Sequence, residues 1–163
     1  MTEKIKVYLD TNMIHDYFVN QAKALKSKKE AVLPSKYKFM LTEKKRIEFV
    51  TSVITKAEIV RELRSAHGIN PEEIEIIWND LINALSCNYI AKSEFDERLV
   101  EIAFKLPLRL RTLFNFMHLF IAIKLNCYIV SGDEDFVQKA RENLLYDKAI
   151  NYIELRKITG GDI

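Results

Sequence analysis

An α/β fold, with helices covering both faces of a central, mostly parallel sheet of four to five strands, is what these 163 residues predict. Two observations carry it. Short apolar runs alternate with stretches of helical periodicity along the whole chain. At least two of those runs, Val7-Tyr8-Leu9 and Cys127-Tyr128-Ile129-Val130, stop at an acid-bearing turn that opens a helix at once. The runs are continuously apolar, as strands buried on both faces require.

The elements follow in order. Ile5 to Leu9 is the first strand, with Asp10 at its carboxyl end and Thr11 or Asn12 able to cap what comes next; the plainer reading of Asp10 is that it only helps to cap that helix. Met13 to about Leu25 is a helix, with Ile14, Tyr17, Phe18, Ala22 and Leu25 on its inner stripe. Pro34 interrupts a basic excursion at about residues 26–46. Arg46 to Thr51 is a second strand, and Ser52 or Thr51 caps a helix from Val53 to about Ala66. Gly68 closes that helix, and Asn70-Pro71 opens the next in cap-then-proline order, running to about Leu85. Asn88 to Ala91 is a short strand. Ser93 caps a helix from Glu94 to about Leu106, ended by Pro107. Arg109 to Leu125 is a strongly apolar helix with Asn126 at its left-handed end. Cys127 to Val130 is a buried strand, a helix runs from the Asp133 turn to about Asn143, and Ala149 to Leu155 is a last strand. Gly160-Gly161 reads as a loose tail.

The length suits one domain spanning residues 1–163, burying roughly 70% of its unfolded surface. No repeat, low-complexity tract or linker divides it. No apolar run approaches the ~20 residues that span a bilayer. The start, Met1-Thr2-Glu3-Lys4, lacks a signal peptide's apolar core, so cytoplasmic residence is the expectation. Cys87 and Cys127 lack metal-type spacing and read as small buried hydrophobes. A net charge of +2 sets up no global field for nucleic acid. The local balance differs. Between Lys23 and Arg46 nine basic residues face two acidic ones, Glu30 and Glu43, with Tyr37 and Phe39 interleaved. Lys28, Lys29, Lys36, Lys38, Lys44, Lys45 and Arg46 are candidates to grip single-stranded RNA by phosphate contact beside stacking aromatics. The competing reading is a solvated lysine-rich excursion.

Two strands end in acid, at Asp10 and at Asp133 with Asp135. Glu58 lies two turns into a helix that follows a third strand. Each acid alone is an ordinary cap or solvated residue. At parallel strand ends they converge, where ligands sit in open α/β sheets. Several carboxylates in one pocket repel one another unless compensated. A hard divalent cation, Mg²⁺ or Mn²⁺, takes such oxygen ligands and acidifies a water for in-line attack on phosphorus.

At these residues the chain resembles PIN domains. Leu9-Asp10-Thr11-Asn12, Ser52 to Glu58, Asn115 to Ala122 and Val130 to Phe136 are similar to that family's four signature segments, in order. The resemblance implies a three-layer α/β/α fold and a metal-dependent ribonuclease of the sort found in VapC toxins and RNA-processing factors. It implies that Asp10, Glu58 and Asp133 hold Mg²⁺ or Mn²⁺, that Asp135 assists, and that Thr11 and Asn12 steady the first aspartate while lying on the RNA path. A toxin would bring an antitoxin whose tail fills the acidic groove, and PIN toxins are commonly homodimers. One departure stands out. The third segment usually begins with aspartate, and here that place is Asn115, which brings an amide oxygen and no charge. A PIN-like module that binds RNA or protein without cutting is the alternative this substitution raises.

His118 shares a helix face with Asn115 and Ala122. It is a candidate RNA contact or ligand for a softer ion, against the plainer expectation of a packed core histidine. Glu62, one turn after Glu58, either supplies the missing charge or pairs with Arg61 or Arg64. A phosphoaspartyl hydrolase wants a second aspartate where Asn12 stands. A receiver domain wants paired early acids and a late lysine that are absent in register.

Overall fold

The computed structural model describes residues 3–106 and 113–160. Five strands form one parallel sheet: β1 (Ile5–Tyr8), β2 (Ile47–Ser52), β3 (Asn88–Ile90), β4 (Tyr128–Val130) and β5 (Ala149–Ile150). Their spatial order is β3-β2-β1-β4-β5, with every neighbouring pair parallel. The chain builds outward from β1 to β3 on one side and then from β4 to β5 on the other. The reversal falls between β1 and β4, which is where open α/β sheets leave a crevice at their carboxyl ends.

Alternation along the strands feeds two cores. Val7 and Leu9 of the β1 segment, with Ile47 and Phe49 of β2, face one cluster. That cluster is completed by α1 (Thr11–Ser27), α2 (Ser35–Glu43), α3 (Val53–Ser65) and α4 (Pro71–Leu85), with Phe18 stacked on Trp78. Tyr8 and Val50 point the other way, into a cluster with α5 (Arg98–Lys105), α6 (Leu113–Leu125) and α7 (Glu134–Leu144). A short α8 (Tyr152–Ile158) closes the described chain and puts Leu155 into the first core. This is the expected α/β architecture, with the sheet covered on both faces. Cys87 and Cys127 are free and buried, and burial pushes their thiols up to about 12 and about 11.

Several elements differ from the sequence expectation. The basic excursion contains a helix of its own, α2, which buries Tyr37 and Met40. The expected last strand from Ala149 to Leu155 stops at Ile150. Asn151 and Glu154 then form a reciprocal capping box that starts α8. The helix expected from Glu94 starts at Arg98, because Asp96, not Ser93, takes the Arg98 amide at 3.0 Å. Glu62 faces His15 and His67, at 3.7 and 3.9 Å, rather than the neighbouring arginines. The predicted helix stop at Pro107, the start at Arg109 and the tail glycine Gly161 lie outside the described residues. Among the described residues no helix is long and apolar enough to cross a membrane.

Candidate active site

Asp10 stands two residues past the end of β1 and is the N-cap of α1, its carboxylate accepting the Asn12 amide at 3.0 Å. A cap is normally solvated. This one is 4% exposed. Leu9 just before it is fixed from β2 and α3: Thr51 and Thr55 hydroxyls donate to its carbonyl at 2.9 and 3.1 Å. Burial raises the Asp10 pKa from 3.8 to about 6, the Glu58 carboxylate adds to the rise, and the His118 ring and Asn12 amide oppose it. Asp10, Glu58 and His118 therefore share one field, although they come from α1's cap, α3 and α6.

Glu58 is held from two sides. Thr11, the first residue of α1, donates its hydroxyl to Oε1 at 2.9 Å. His118 Nε2 meets the same oxygen. The other ring nitrogen, Nδ1, lies 2.7 Å from the Tyr8 hydroxyl, which also meets Ser52 Oγ at 2.7 Å and Thr55 Oγ1 at 3.4 Å. Ser52 in turn caps α3 by accepting the Ile54 amide at 3.2 Å. Burial pushes the Tyr8 phenol well above its ordinary range, so it keeps its proton.

The other predicted residues are placed differently. Asp133 caps α7, accepting the Phe136 amide at 3.1 Å, and is exposed. Asp135 is exposed and ion-paired with Lys139 at 2.9 Å. Among the described residues no three His, Cys, Asp or Glu stand close enough together to hold a metal by themselves. Asn115 is half-buried in the first turn of α6, one turn before His118. Thr11 steadies Glu58 rather than the first aspartate, and Asn12 steadies Asp10 through its backbone amide.

His118 is 2% exposed, with both ring nitrogens engaged, as a packed core histidine is. The basic segment is split. Lys36 reaches the Asn12 carbonyl at 3.5 Å and lies over the Tyr152 ring, at the same edge as Asp10. Lys28 and Lys29 are exposed at the far end of α1, and Lys38 is exposed on α2. Lys44, Lys45 and Arg46 precede β2 at the sheet's amino edge. There the Lys44 carbonyl accepts from Lys4, its ammonium donates to Ala84 O, and Arg46 donates to Thr159 O. The six residues of β2 put about 20 Å between that edge and the acids. These three lie at the opposite edge of the sheet from Asp10 and Glu58.

As site residues, Tyr8, Ser52 and Thr55 are absent from the sequence reading, which has Ser52 only as a helix cap. The one signal was polarity out of place: a tyrosine in a buried strand, and Thr51, Ser52 and Thr55 in a stretch that also carries Val50, Val53 and Ile54.

A parallel sheet with one buried carboxylate and one half-buried one at its switch point places this chain among α/β proteins with acids at their strand ends. The chain belongs to the PIN domain family, whose model matches residues 7–142. PIN domains are generally nucleases that bind RNA and use divalent metals. The crystal structure of PAE2754 from Pyrobaculum aerophilum is similar in fold. It matches over 97% of this chain and 98% of that one, with a TM-score of 0.55 and 12% identity. No curated protein matches the chain.

Proposed function

We propose that the chain is a metal-dependent endoribonuclease acting on single-stranded RNA, with Asp10 and Glu58 as the anchors of a Mg²⁺ or Mn²⁺ ion and Asp133 and Asp135 at the rim. The observation that carries this reading is the burial of Asp10 beside Glu58 at the β1/β4 switch point. Two oxygen donors suit a hard cation that keeps several waters and takes further oxygens from substrate phosphate. Such an ion supplies an acidified water and neutralises charge developing on the phosphate.

The chain's own residues do the rest. Asp10 is pre-set by its cap bond to the Asn12 amide. Thr11 and His118 hold one oxygen of Glu58 and leave the other open. Lys36, beside Asn12 at the same edge, offers a cation to a backbone phosphate. Asp133 and Asp135 close the crevice on the β4 side. The resemblance to VapC toxins extends the reading to a toxin–antitoxin pair and a homodimer, and is its support there.

The test is cleavage of a labelled single-stranded RNA with Mn²⁺, with Mg²⁺ and with chelator. Cutting that needs the cation and falls about 100-fold or more in Asp10→Asn is expected, the scale on which fixed charge stabilises a transition state. Cutting that persists in chelator, or in Asp10→Asn, refutes the reading. Asn115→Asp decides what the amide costs. A silent parent whose Asn115→Asp variant cuts identifies a module whose native task is binding.

A further inference from the structure

We propose that His118 is the positioning residue of Glu58, fixed by Tyr8: the phenol meets Nδ1, and the ring's Nε2–H holds Glu58 Oε1 so that Oε2 is left open.

The argument counts hydrogens. The Tyr8 hydroxyl has three polar neighbours: Ser52 Oγ and His118 Nδ1, each at 2.7 Å, and Thr55 Oγ1 at 3.4 Å. The Thr55 proton is already used on Leu9 O. Ser52 Oγ accepts from the Ile54 amide, so among the described residues its own proton can go only to Tyr8. Tyr8 then has one proton to give, and His118 Nδ1 is its short remaining contact. A neutral imidazole that accepts at Nδ1 donates at Nε2. Nε2 faces Glu58 Oε1, which also takes the Thr11 hydroxyl. Every hydroxyl and ring proton has an acceptor, and Glu58 receives two donors on one oxygen.

The reversed tautomer fails: a proton on Nδ1 alone sets the Nε2 lone pair against a carboxylate oxygen. Burial adds weight, since an unpaired polar group at a site that is 2% exposed is costly.

Three elements thus set one side chain. β1 supplies Tyr8, α1 supplies Thr11 and α6 supplies His118, all acting on a glutamate of α3. Outer hydrogen-bond partners of this kind orient a ligand before it binds anything. The consequence for a cation rests on the nuclease reading; the hydrogen-bond chain does not.

The experiment has two arms, both on the full chain. In the first, a two-bond ¹H–¹⁵N correlation spectrum of the ¹⁵N-labelled protein in chelator reads the protonation of the His118 ring, assigned by its loss in His118→Gln. The expected pattern has a proton on Nε2. A proton on Nδ1 alone overturns the proposal. In the second arm, calorimetry measures Mn²⁺ affinity. Glutamine places an amide N–H where Nε2 stood, and asparagine stops short at the place of Nδ1. His118→Gln is expected to keep the parent's affinity, and His118→Asn to lose ~10–100-fold. Equal affinity of His118→Asn and the parent overturns the positioning role. A parent that binds no Mn²⁺ defeats the nuclease reading, while the first arm still decides the hydrogen-bond chain.

Discussion

The turn after β1 and the turn after β4 share one local grammar and have opposite surroundings. Each is a buried strand, an aspartate that caps the next helix, and an amphipathic helix. Asp10 accepts the amide two residues on and Asp133 the amide three residues on, both at ordinary distances. Asp10 is nevertheless buried, with its pKa raised to about 6, while Asp133 is exposed. The difference comes from neighbours, not from the turns. β1 is the central strand, flanked by β2 and β4, and α3 and α6 bring Glu58 and His118 to its end. Beyond β4, among the described residues, the sheet adds only the two-residue β5. One sequence pattern therefore yields a charge held against its preference in one place and a plain helix cap in the other.

The largest expected effect tests that contrast at Asp10. Its folded pKa of about 6 stands above the 3.8 of the unfolded chain. Between those values the folded state holds the extra proton. This contribution to stability is therefore full below about pH 3.8 and is lost as pH rises through 6. Asp10→Asn keeps an accepting cap oxygen and removes the buried charge. In chelator at pH 7.5 it is expected to be more stable than the parent by as much as about 3 kcal/mol, two pKa units' worth. The gain should vanish near pH 4. Denaturant melts at the two pH values measure it. A variant less stable at pH 7.5 would show that Asp10 is not strained.

How much of this was legible in the sequence follows the same division. Strand runs and caps are local, so β1, α4 and the cap positions at Asp10 and Asn70 could be read from neighbours in the chain. The acids could be assigned to strand ends, because that depends on alternation alone. Their unequal burial could not, since it is set by strand order and by α6, more than a hundred residues from β1. Tyr8 shows the limit most clearly. Its partners Ser52 and His118 are 44 and 110 positions away. No periodicity joins them. Asn151 shows a different failure, since the alternating Ile153 and Leu155 beyond it read as strand. The reciprocal Asn151–Glu154 cap turned it into helix instead.

Asp133 carries the middle-sized prediction. If it is a solvated cap, Asp133→Ala costs about 1 kcal/mol, the ordinary loss of an N-cap, and Asp133→Asn costs little. Denaturant melts of the two variants measure these costs, and an Asp133→Asn variant stabilised as much as Asp10→Asn would make the two turns alike.

The smallest effect belongs to the rim. Asp135 and Lys139 pair one turn apart on α7 at 2.9 Å, with Asp135 half-exposed. An exposed pair at that spacing is worth about 0.3–0.5 kcal/mol and is screened by salt. Lys139→Ala should lose that much in low salt and nothing measurable at 1 M. It should also free the Asp135 carboxylate beside the crevice. On the proposed function, Asp135 assists cation binding from the rim, so Lys139→Ala should bind Mn²⁺ slightly tighter by calorimetry while folding slightly less well. The two signs are opposed, which a purely structural ion pair would not produce. If both fall together, Asp135 belongs to α7's surface alone, and the chemistry rests on the buried side of the crevice with Asp10 and Glu58.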